Sequence, residues 1–240
     1  MKRFTFIIMA IWNLLFGNAA EQIDWANQAR YAQANRELTA HGSQVYTVLI
    51  GNSITEFWEE MHPQFFACHQ LVGRGIGGQV SSQMLVRFRQ DVINLKPQVV
   101  VINCGTNDIA ENMGPYNEAI TLDNITSMAE LATANGITVV LSSVLPCDQF
   151  CWNPSIKEAV AKIQSLNQHI EGYAIAHGMY YINYYQAMVG EHGEMNPAFT
   201  HDGVHPNSAG YDVMEQLLLN ALSSVGTQNQ SGITSTKTIQ

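Results

Sequence analysis

The chain has 240 residues, of which 46% are hydrophobic and only 13% are charged. This composition can bury a large core in one α/β domain, and it excludes an intrinsically disordered protein. The formal net charge is -9, and Lys and Arg are not clustered, so a nucleic-acid-binding protein is excluded as well.

The amino terminus has the pattern of an export signal. Lys2 and Arg3 precede an apolar run at 4–16, whose length is typical of the hydrophobic region of a signal peptide. Small residues at 17–20 would allow cleavage, so we predict a signal peptide over 1–20 and a secreted or periplasmic protein. A short membrane anchor is the alternative, but a span needs roughly 20 apolar residues. No stable membrane anchor is therefore expected.

Hydrophobic runs and helix-ending residues predict helices and strands in alternation from residue 23 onward. In chain order these are a helix at 23–38, strands at 45–50 and 71–72, a helix at 81–95, a strand at 99–104, a helix at 122–134, a strand at 137–145, a helix at 156–176, a strand at 180–183 and a helix at 211–222. The alternation indicates an α/β domain with parallel strands and helices on both faces. We predict that this domain covers 21–225 and that 226–240 form a mobile tail.

Polar segments follow directly after three of the predicted strands. They are Gly51-Asn52-Ser53-Ile54-Thr55, Gly73-Arg74-Gly75-Ile76-Gly77-Gly78 (the glycine segment) and Gly105-Thr106-Asn107-Asp108. Because sites in parallel sheets lie beyond the carboxyl ends of the strands, we expect Ser53, Gly75 and Asn107 at one edge of the sheet. A fourth segment, Asp-Gly-Val-His-Pro at 202–206, adds a carboxylate and an imidazole.

These four segments supply the groups needed to attack an ester carbonyl. Asp202 and His205 are three residues apart, so the carboxylate can orient the imidazole, whose other nitrogen would accept the proton of Ser53. The N–H groups of Ser53 and Gly75 and the side-chain amide of Asn107 would stabilise the oxyanion, each by roughly 3 kcal/mol. Taken singly, Ser53 could instead be a helix N-cap, Gly75 a turn glycine and Asn107 a cap or turn residue.

Two other interpretations of the same residues are weaker. Gly73, Gly75 and Gly78 match the G-x-G-x-x-G pattern of dinucleotide-binding proteins, but the next strand ends at Asn103 without the acidic residue that binds the ribose. A metal site could use His201 together with Asp202 and His205 of the last segment. We predict neither a metal nor another cofactor, because the serine mechanism needs none.

The four cysteines are consistent with an exported protein. Cys147 and Cys151 are four residues apart in a loop-like segment, where they could form a disulfide or remain free thiols. Cys68 and Cys104 lie in apolar, strand-like runs and are predicted to be buried. None of the four is expected to be a nucleophile or a zinc ligand.

Together, the four segments resemble those of the SGNH/GDSL hydrolase family, which is named for its Ser, Gly, Asn and His. The resemblance covers about 45–222. It implies a three-layer α/β/α fold of flavodoxin-like type with a five-stranded parallel sheet. It also implies a catalytic triad and an oxyanion hole, formed by Ser53, Asp202 and His205 and by Ser53, Gly75 and Asn107 respectively. The chain departs from the family pattern at Asn52, where Asp is usual, and at Gly73, where Asn is common.

The resemblance leaves the substrate open, because the family includes lysophospholipases, platelet-activating-factor-acetylhydrolase-like esterases and carbohydrate O-acetylesterases. The expected rim of the site is mixed and polar, and Trp152, Tyr116 and Asn153 are its candidate substrate contacts. Trp152 could stack on a sugar or merely pack against its own loop. We expect a small acyl ester, in particular an O-acetyl ester of a carbohydrate. A lipid esterase and a non-catalytic carbohydrate-binding module on the same fold are the alternatives.

Overall fold

The computed structural model describes residues 24–40 and 45–230. The predicted signal peptide and residues 231–240 of the predicted tail lie outside the described residues. Within the described ranges, no helix has both the length and the apolar character required to cross a membrane.

Five parallel strands form one sheet in the order β2-β1-β3-β4-β5. They are β1 Thr47–Gly51, β2 Leu71–Gly75, β3 Val99–Ile102, β4 Thr138–Ser142 and β5 Tyr180–Ile182. All residues of β1 and β3 are buried, because helices cover both faces of the central strands, which therefore read as continuous apolar runs. The predicted three-layer fold with a five-stranded parallel sheet is confirmed.

Nine α-helices surround this sheet in the described residues. They are α1 Ala32–Ala40, α2 Ser53–Met61, α3 Pro63–Cys68, α4 Ser81–Asp91, α5 Thr106–Ile109, α6 Glu118–Ala134, α7 Ala159–Ala176, α8 Tyr184–Met188 and α9 Ser208–Gln230. Single 3₁₀ turns lie at Ile93–Leu95 and Pro197–Phe199. The sequence prediction missed the helices α2, α3, α5 and α8. These helices have only four to nine residues, which is too short for a helical period to show clearly in the sequence.

The boundaries of three long helices differ from the prediction for local reasons. α6 begins at Glu118 instead of 122, because the Asn117 side chain caps it by accepting a hydrogen bond from the N–H of Ile120. α7 begins at Ala159 instead of 156, because Glu158 is left-handed, with φ of 58°. α9 continues through Gln230 and therefore includes residues 226–230 of the predicted tail, whose mobility stays a prediction.

The core consists of two apolar clusters, one on each face of the sheet. Along β1, Val48 and Ile50 face the first cluster and Leu49 faces the second, as expected where side chains alternate across a strand. The first cluster packs the sheet against α4, α6 and α7, and the second packs it against α2 and α9. The resulting rigid sheet fixes the loops at its carboxyl edge.

The cysteines differ in part from the prediction. Cys104 is buried as predicted, but Cys68 is exposed, because it ends the surface helix α3 rather than lying in a strand. Cys147 and Cys151 are free thiols, so the candidate disulfide is not formed. The Cys147 thiol is buried and donates to the carbonyl of Gln149 at 3.2 Å. Burial raises the pKa of Cys147 to about 12, so it is not an activated nucleophile.

The end of β2 packs directly on the first turn of α2. A Cβ atom at Gly75 would lie 2.2 Å from the backbone nitrogen of Glu56 and 2.6 Å from the carbonyl oxygen of Asn52. Both contacts are with backbone atoms, which cannot rotate away. Only glycine therefore allows β2 to approach α2 this closely.

We expect Gly75→Ala to lower the free energy of unfolding by roughly 2 kcal/mol or more, the cost of overpacking against rigid atoms. Gly172 in α7 is the matched control, since a Cβ there meets nothing within 4 Å. Gly172→Ala should raise stability by about 0.5–1 kcal/mol through helix propensity. Urea unfolding of both variants measures the difference. Equal stabilities would contradict the packing argument.

Candidate active site

Ser53 is the first residue of α2, immediately beyond the end of β1. The N-cap is Asn52, whose side-chain oxygen accepts a hydrogen bond from the N–H of Ile54 at 3.0 Å. The alternative role of Ser53 as a helix cap is therefore taken by its neighbour. A carboxamide oxygen provides the capping acceptor that a carboxylate would provide, so Asn52 keeps the local helix start. Its Nδ2 is buried and has no partner among the described residues.

The hydroxyl of Ser53 reaches a histidine 152 positions away in the sequence. Ser53 Oγ lies 2.9 Å from His205 Nε2, and His205 Nδ1 lies 2.7 Å from Asp202 Oδ2. We call this series of hydrogen bonds the Ser53 relay. Because an ionised carboxylate only accepts, Nδ1 donates to Asp202 and Nε2 is left to accept the serine proton.

The Asp202 carboxylate is held within a tight turn. Its Oδ1 accepts from the backbone N–H groups of Val204 and His205 at 2.9 and 2.8 Å, and Gly203 has a φ of 82°. Burial raises the pKa of Asp202, but hydrogen bonds from the backbone and ring of His205 and from Val204 outweigh it and lower the pKa to about 2.

This lowered pKa has a consequence for stability as well as for orientation. Asp202 is ionised at neutral pH and fixes the tautomer of His205. Because folding lowers its pKa from 3.8 to about 2, the ionised group stabilises the fold above about pH 4, and this contribution is lost as the pH falls towards 2.

The three predicted oxyanion donors lie at the same edge of the sheet. In the β1–β2 pairing, Gly51 is opposite Gly75, and Ser53 follows Gly51 by two residues. The N–H of Ile76 donates to the carbonyl of Gly51 at 3.2 Å, and alternate residues of a parallel strand bond the same neighbour, so the N–H of Gly75 points away from β1. Asn107 is buried in α5, and its Nδ2 donates to the carbonyl of Gln79 at 2.9 Å. An amide nitrogen carries two hydrogens, so this bond orients the group and leaves the second hydrogen for another acceptor.

Two partly exposed aromatic rings flank His205. The centroid of the Phe57 ring is 5.3 Å from that of the imidazole, and the centroid of Trp152 is 6.4 Å from it. Phe57 was missed from the sequence because α2 was missed. Once Ser53 begins a helix, Phe57 lies one turn later on the same face, and this spacing is the signal that could have found it.

The three predicted rim residues have different roles. Trp152 is 43% exposed beside His205, and its Nε1 donates to Asn112 Oδ1 at 2.9 Å. Asn153 instead donates to the carbonyl of Ala110 at 2.9 Å and joins two loops. Tyr116 lines a cavity of about 230 Å³ whose lining includes Asp108 but neither Ser53 nor His205. Of the three, only Trp152 is in ring contact with the relay.

The first described segment also contacts the site, which the sequence did not indicate. The Tyr31 hydroxyl donates to the carbonyl of Gly75. Glu56, one turn after Ser53, accepts from Arg30 Nη2 at 3.0 Å and from the N–H of Gly77 at 2.7 Å. These bonds join the N-terminal segment, α2 and the glycine segment around the nucleophile.

The possible metal site at His201, Asp202 and His205 has no support in this geometry. Both ring nitrogens of His205 hold hydrogen bonds within the relay. Neither nitrogen has a lone pair left for a metal while the relay is formed.

Both the sequence and the fold of this chain match known proteins. The model of the GDSL-like Lipase/Acylhydrolase family matches residues 49–213. A GDSL-like lipase from Bacteroides thetaiotaomicron is 53% identical, with a TM-score of 0.80, over 83% of this chain and 98% of that chain. A candidate acylhydrolase from Bacteroides fragilis is 52% identical, with a TM-score of 0.82, over 85% of this chain and 99% of that chain.

More distant structures share the fold alone. The acetyl xylan esterase AlAXEase is 19% identical, with a TM-score of 0.61, over 74% of this chain and 100% of that chain. No curated protein matches the sequence. The family match covers most of the chain, and the two Bacteroides structures match it over nearly their full lengths. This chain therefore belongs to the GDSL-like lipase/acylhydrolase family and is a carboxylic ester hydrolase.

Proposed function

We propose that this enzyme hydrolyses small acyl esters, in particular O-acetyl esters of carbohydrates, through an acyl-enzyme on Ser53. The observation that carries the proposal is the position of the Ser53 relay at the sheet edge that also holds the glycine segment and Asn107; in this relay the hydroxyl lies 2.9 Å from an imidazole oriented by Asp202. A hydroxyl needs such a base to become a nucleophile at neutral pH.

The first half of the reaction forms the acyl-enzyme. Ser53 Oγ attacks the carbonyl carbon and its proton passes to His205 Nε2. The negative oxygen is stabilised by the N–H group of Ser53, by an N–H group of the glycine segment and by the Asn107 amide. The C–O bond to the alcohol then breaks, and His205 returns the proton to the leaving oxygen.

The second half releases the acid. A water molecule gives a proton to His205 Nε2 and attacks the acyl carbon. The bond to Ser53 Oγ breaks, the hydroxyl recovers its proton from His205, and the free carboxylic acid leaves. Asp202 stays ionised throughout and stabilises the imidazolium that forms in each half.

The exposed indole beside His205 supports a carbohydrate as the alcohol part of the ester. An exposed indole with an apolar face and a polar edge suits the C–H face of a sugar. Trp152 has this exposure, and its N–H is held by Asn112, which fixes the ring at the mouth of the site. The same fold also carries the acetyl xylan esterase AlAXEase.

A lipid ester is the second candidate, and one observation favours it. Phe57 and Met61 are one turn apart on α2, and both side chains are exposed. This apolar stripe would suit an acyl chain longer than acetyl. The third candidate is a carbohydrate-binding module without turnover. Such a module does not need the Ser53 relay, so the relay argues against it.

Export is a separate proposal that rests on sequence. Lys2 and Arg3, the apolar run at 4–16 and the small residues at 17–20 support a cleaved signal peptide. A secreted esterase would meet extracellular polysaccharide directly, and a periplasmic one would meet carbohydrate that has entered the periplasm.

We expect Ser53→Ala to lower kcat by at least about 10⁴-fold with p-nitrophenyl acetate, because the nucleophile is removed. Ser208→Ala is the matched control. Ser208 Oγ also lies 2.9 Å from a histidine, His62, whose Nδ1 is 2.7 Å from Glu215. The control should keep kcat within about twofold. Full activity of Ser53→Ala, with circular dichroism unchanged in both variants, would disprove the proposed acyl-enzyme.

The substrate class is tested with the wild-type enzyme and the Ser53→Ala control. Initial rates are measured on p-nitrophenyl acetate, butyrate and octanoate, together with acetate release from acetylated xylan. We expect a Ser53-dependent preference for acetyl esters and release from the polysaccharide. Rates that rise with chain length would instead assign the enzyme to lipid esters.

We expect Asp202→Asn to lower kcat by about 10³- to 10⁴-fold, since an amide can stabilise the wrong tautomer of His205. Asp212→Asn is the control, because Asp212 is an exposed carboxylate 3.9 Å from His62 and outside the Ser53 relay. Steady-state kinetics at neutral pH measure both. Retention of more than a tenth of wild-type kcat by Asp202→Asn would remove Asp202 from the mechanism.

Trp152→Ala should raise KM for acetylated xylan by roughly tenfold, which corresponds to the loss of one good ring contact. The kinetics with p-nitrophenyl acetate should change little, because that substrate lacks the sugar. Trp152→Phe should keep most of the affinity. Ile175→Ala, a change at an exposed residue near the end of α7, controls for loss of surface area. Equal effects on both substrates would argue against sugar stacking.

A further inference from the structure

Gly77 and Gly78 form an exposed turn directly beside the nucleophile. The N–H of Gln79 closes this turn by donating to the carbonyl of Ile76 at 3.3 Å, and Gly78 has a φ of 75°, which favours glycine. A Cβ atom built on Gly77 would lie 3.8 Å from the Cβ of Ser53. Because glycine has more backbone freedom than any other residue, a turn with two adjacent glycines holds one position only where a neighbouring group restrains it.

The N–H groups of this turn differ in whether they have an acceptor. The N–H of Ile76 donates to the carbonyl of Gly51 at 3.2 Å, and the N–H of Gly77 donates to Glu56 Oε2 at 2.7 Å. Among the described residues, no group accepts from the N–H of Gly78. The N–H of Gly78 is therefore the one in the turn that is free to bind the negative oxygen of a substrate.

Glu56 restrains this turn from the side of α2. It lies three residues after Ser53, in the first turn of the helix, and its side chain is only 16% exposed. One carboxylate oxygen accepts from Gly77, and the other accepts from Arg30 Nη2 at 3.0 Å. A hydrogen bond to an ionised carboxylate is stronger than one between neutral groups, and the second bond limits rotation of the carboxylate.

The need for a hydrogen-bond acceptor does not by itself account for a largely buried carboxylate here. Gly77 is exposed, so water could accept from its N–H at little cost. A carboxylate one turn from the nucleophile also opposes the negative charge of an oxyanion, an effect that the neighbouring Arg30 offsets. What Glu56 adds over water is a fixed direction for the turn. A donor held in place beforehand stabilises an oxyanion without reorganisation during the reaction.

We infer that Glu56 is a positioning residue for the oxyanion hole. Its carboxylate holds Gly77 against Ser53 and thereby fixes the adjacent N–H of Gly78 for the oxyanion. Glu56 acts through the Gly77 N–H and not on the substrate, so its removal should change the transition state more than substrate binding. The inference rests on the serine esterase mechanism proposed above.

The test compares Glu56→Ala with Glu56→Gln. Alanine removes the acceptor of the Gly77 N–H, whereas glutamine keeps an oxygen that can accept it while the half-exposed Arg30 turns to solvent. We expect kcat of Glu56→Ala with p-nitrophenyl acetate to fall roughly 10- to 100-fold with KM nearly unchanged. Glu56→Gln should stay within about threefold of wild type. An unchanged kcat in Glu56→Ala, or a glutamine variant as impaired as the alanine variant, would overturn the inference.

Glu59→Ala is the matched control. Glu59 lies one turn later on α2 and also accepts a backbone N–H from the glycine segment, that of Gly73 at 3.3 Å. Gly73 lies two residues before the end of β2, outside the turn beside the nucleophile. Loss of this bond should change kcat by less than threefold, and a loss equal to that of Glu56→Ala would contradict a specific role for Glu56.

Methylboronic acid provides a readout of the oxyanion hole that a purely structural role would not change. Ser53 Oγ forms a bond to boron while the serine proton passes to His205 Nε2, and the negatively charged tetrahedral adduct places one oxygen in the oxyanion hole. The inhibition constant should weaken in Glu56→Ala by about the same factor as kcat, and it should change little in Glu56→Gln and Glu59→Ala. A lower kcat in Glu56→Ala with an unchanged inhibition constant would overturn the inference.

Stability and the proposed function are controlled separately. Urea unfolding shows whether each variant is folded under assay conditions. If Glu56→Ala does not fold, Glu56→Asp decides, because it keeps the charge but its carboxylate is one methylene too short to reach Gly77. It should lower kcat about three- to tenfold, and an unchanged kcat would overturn the inference. An active Ser53→Ala would refute the proposed function instead, whatever the glutamate variants show.

Discussion

The site depends on the way in which the carboxyl ends of three adjacent strands meet. β1 lies between β2 and β3, so Ser53 emerges between the glycine segment and the segment that carries Asn107. The pairing of Gly51 with Gly75 fixes how far β1 and β2 extend relative to each other. Because Gly75 has no side chain, β2 can pack directly on the backbone of α2. A shift in this pairing would move an oxyanion donor away from the nucleophile, because parallel pairing fixes both ends together.

The sequence predicts the parts of the molecule that have a local signal. A continuous apolar run such as Val99–Ile102 predicts a central strand, and polar residues just beyond such runs predict the sheet edge that holds Ser53. The complete burial of the Arg87 side chain has no such local signal. It lies on α4 next to Phe88, and a single arginine in an amphipathic helix normally indicates a solvated position. Its burial comes from backbone carbonyls up to 36 residues away, which no local pattern encodes.

A hydrogen-bonded serine, histidine and carboxylate do not by themselves make an esterase site. Ser208, His62 and Glu215 repeat the bond lengths of the Ser53 relay, 2.9 and 2.7 Å. In that second group, Ser208 begins α9 and His62 ends α2, so the bonds fasten two helices to each other. Ser53 differs because it follows a strand, beside donors that can receive the negative charge of a tetrahedral intermediate. The charge-stabilising surroundings, and not the relay, distinguish the two serines.

One side chain joins the proposed sugar-binding ring to the glycine segment. Asn112 accepts from Trp152 Nε1 at 2.9 Å and donates to the carbonyl of Gly78 at 3.1 Å. Gly78 ends the glycine segment, in which a Cβ atom on Gly77 would lie 3.8 Å from the Cβ of Ser53. The ring beside His205 is thus fixed to the same segment that supplies an oxyanion donor. Because these contacts form one connected network, a sugar bound on the ring would be positioned relative to the donors, so binding energy at the rim can be used in the transition state.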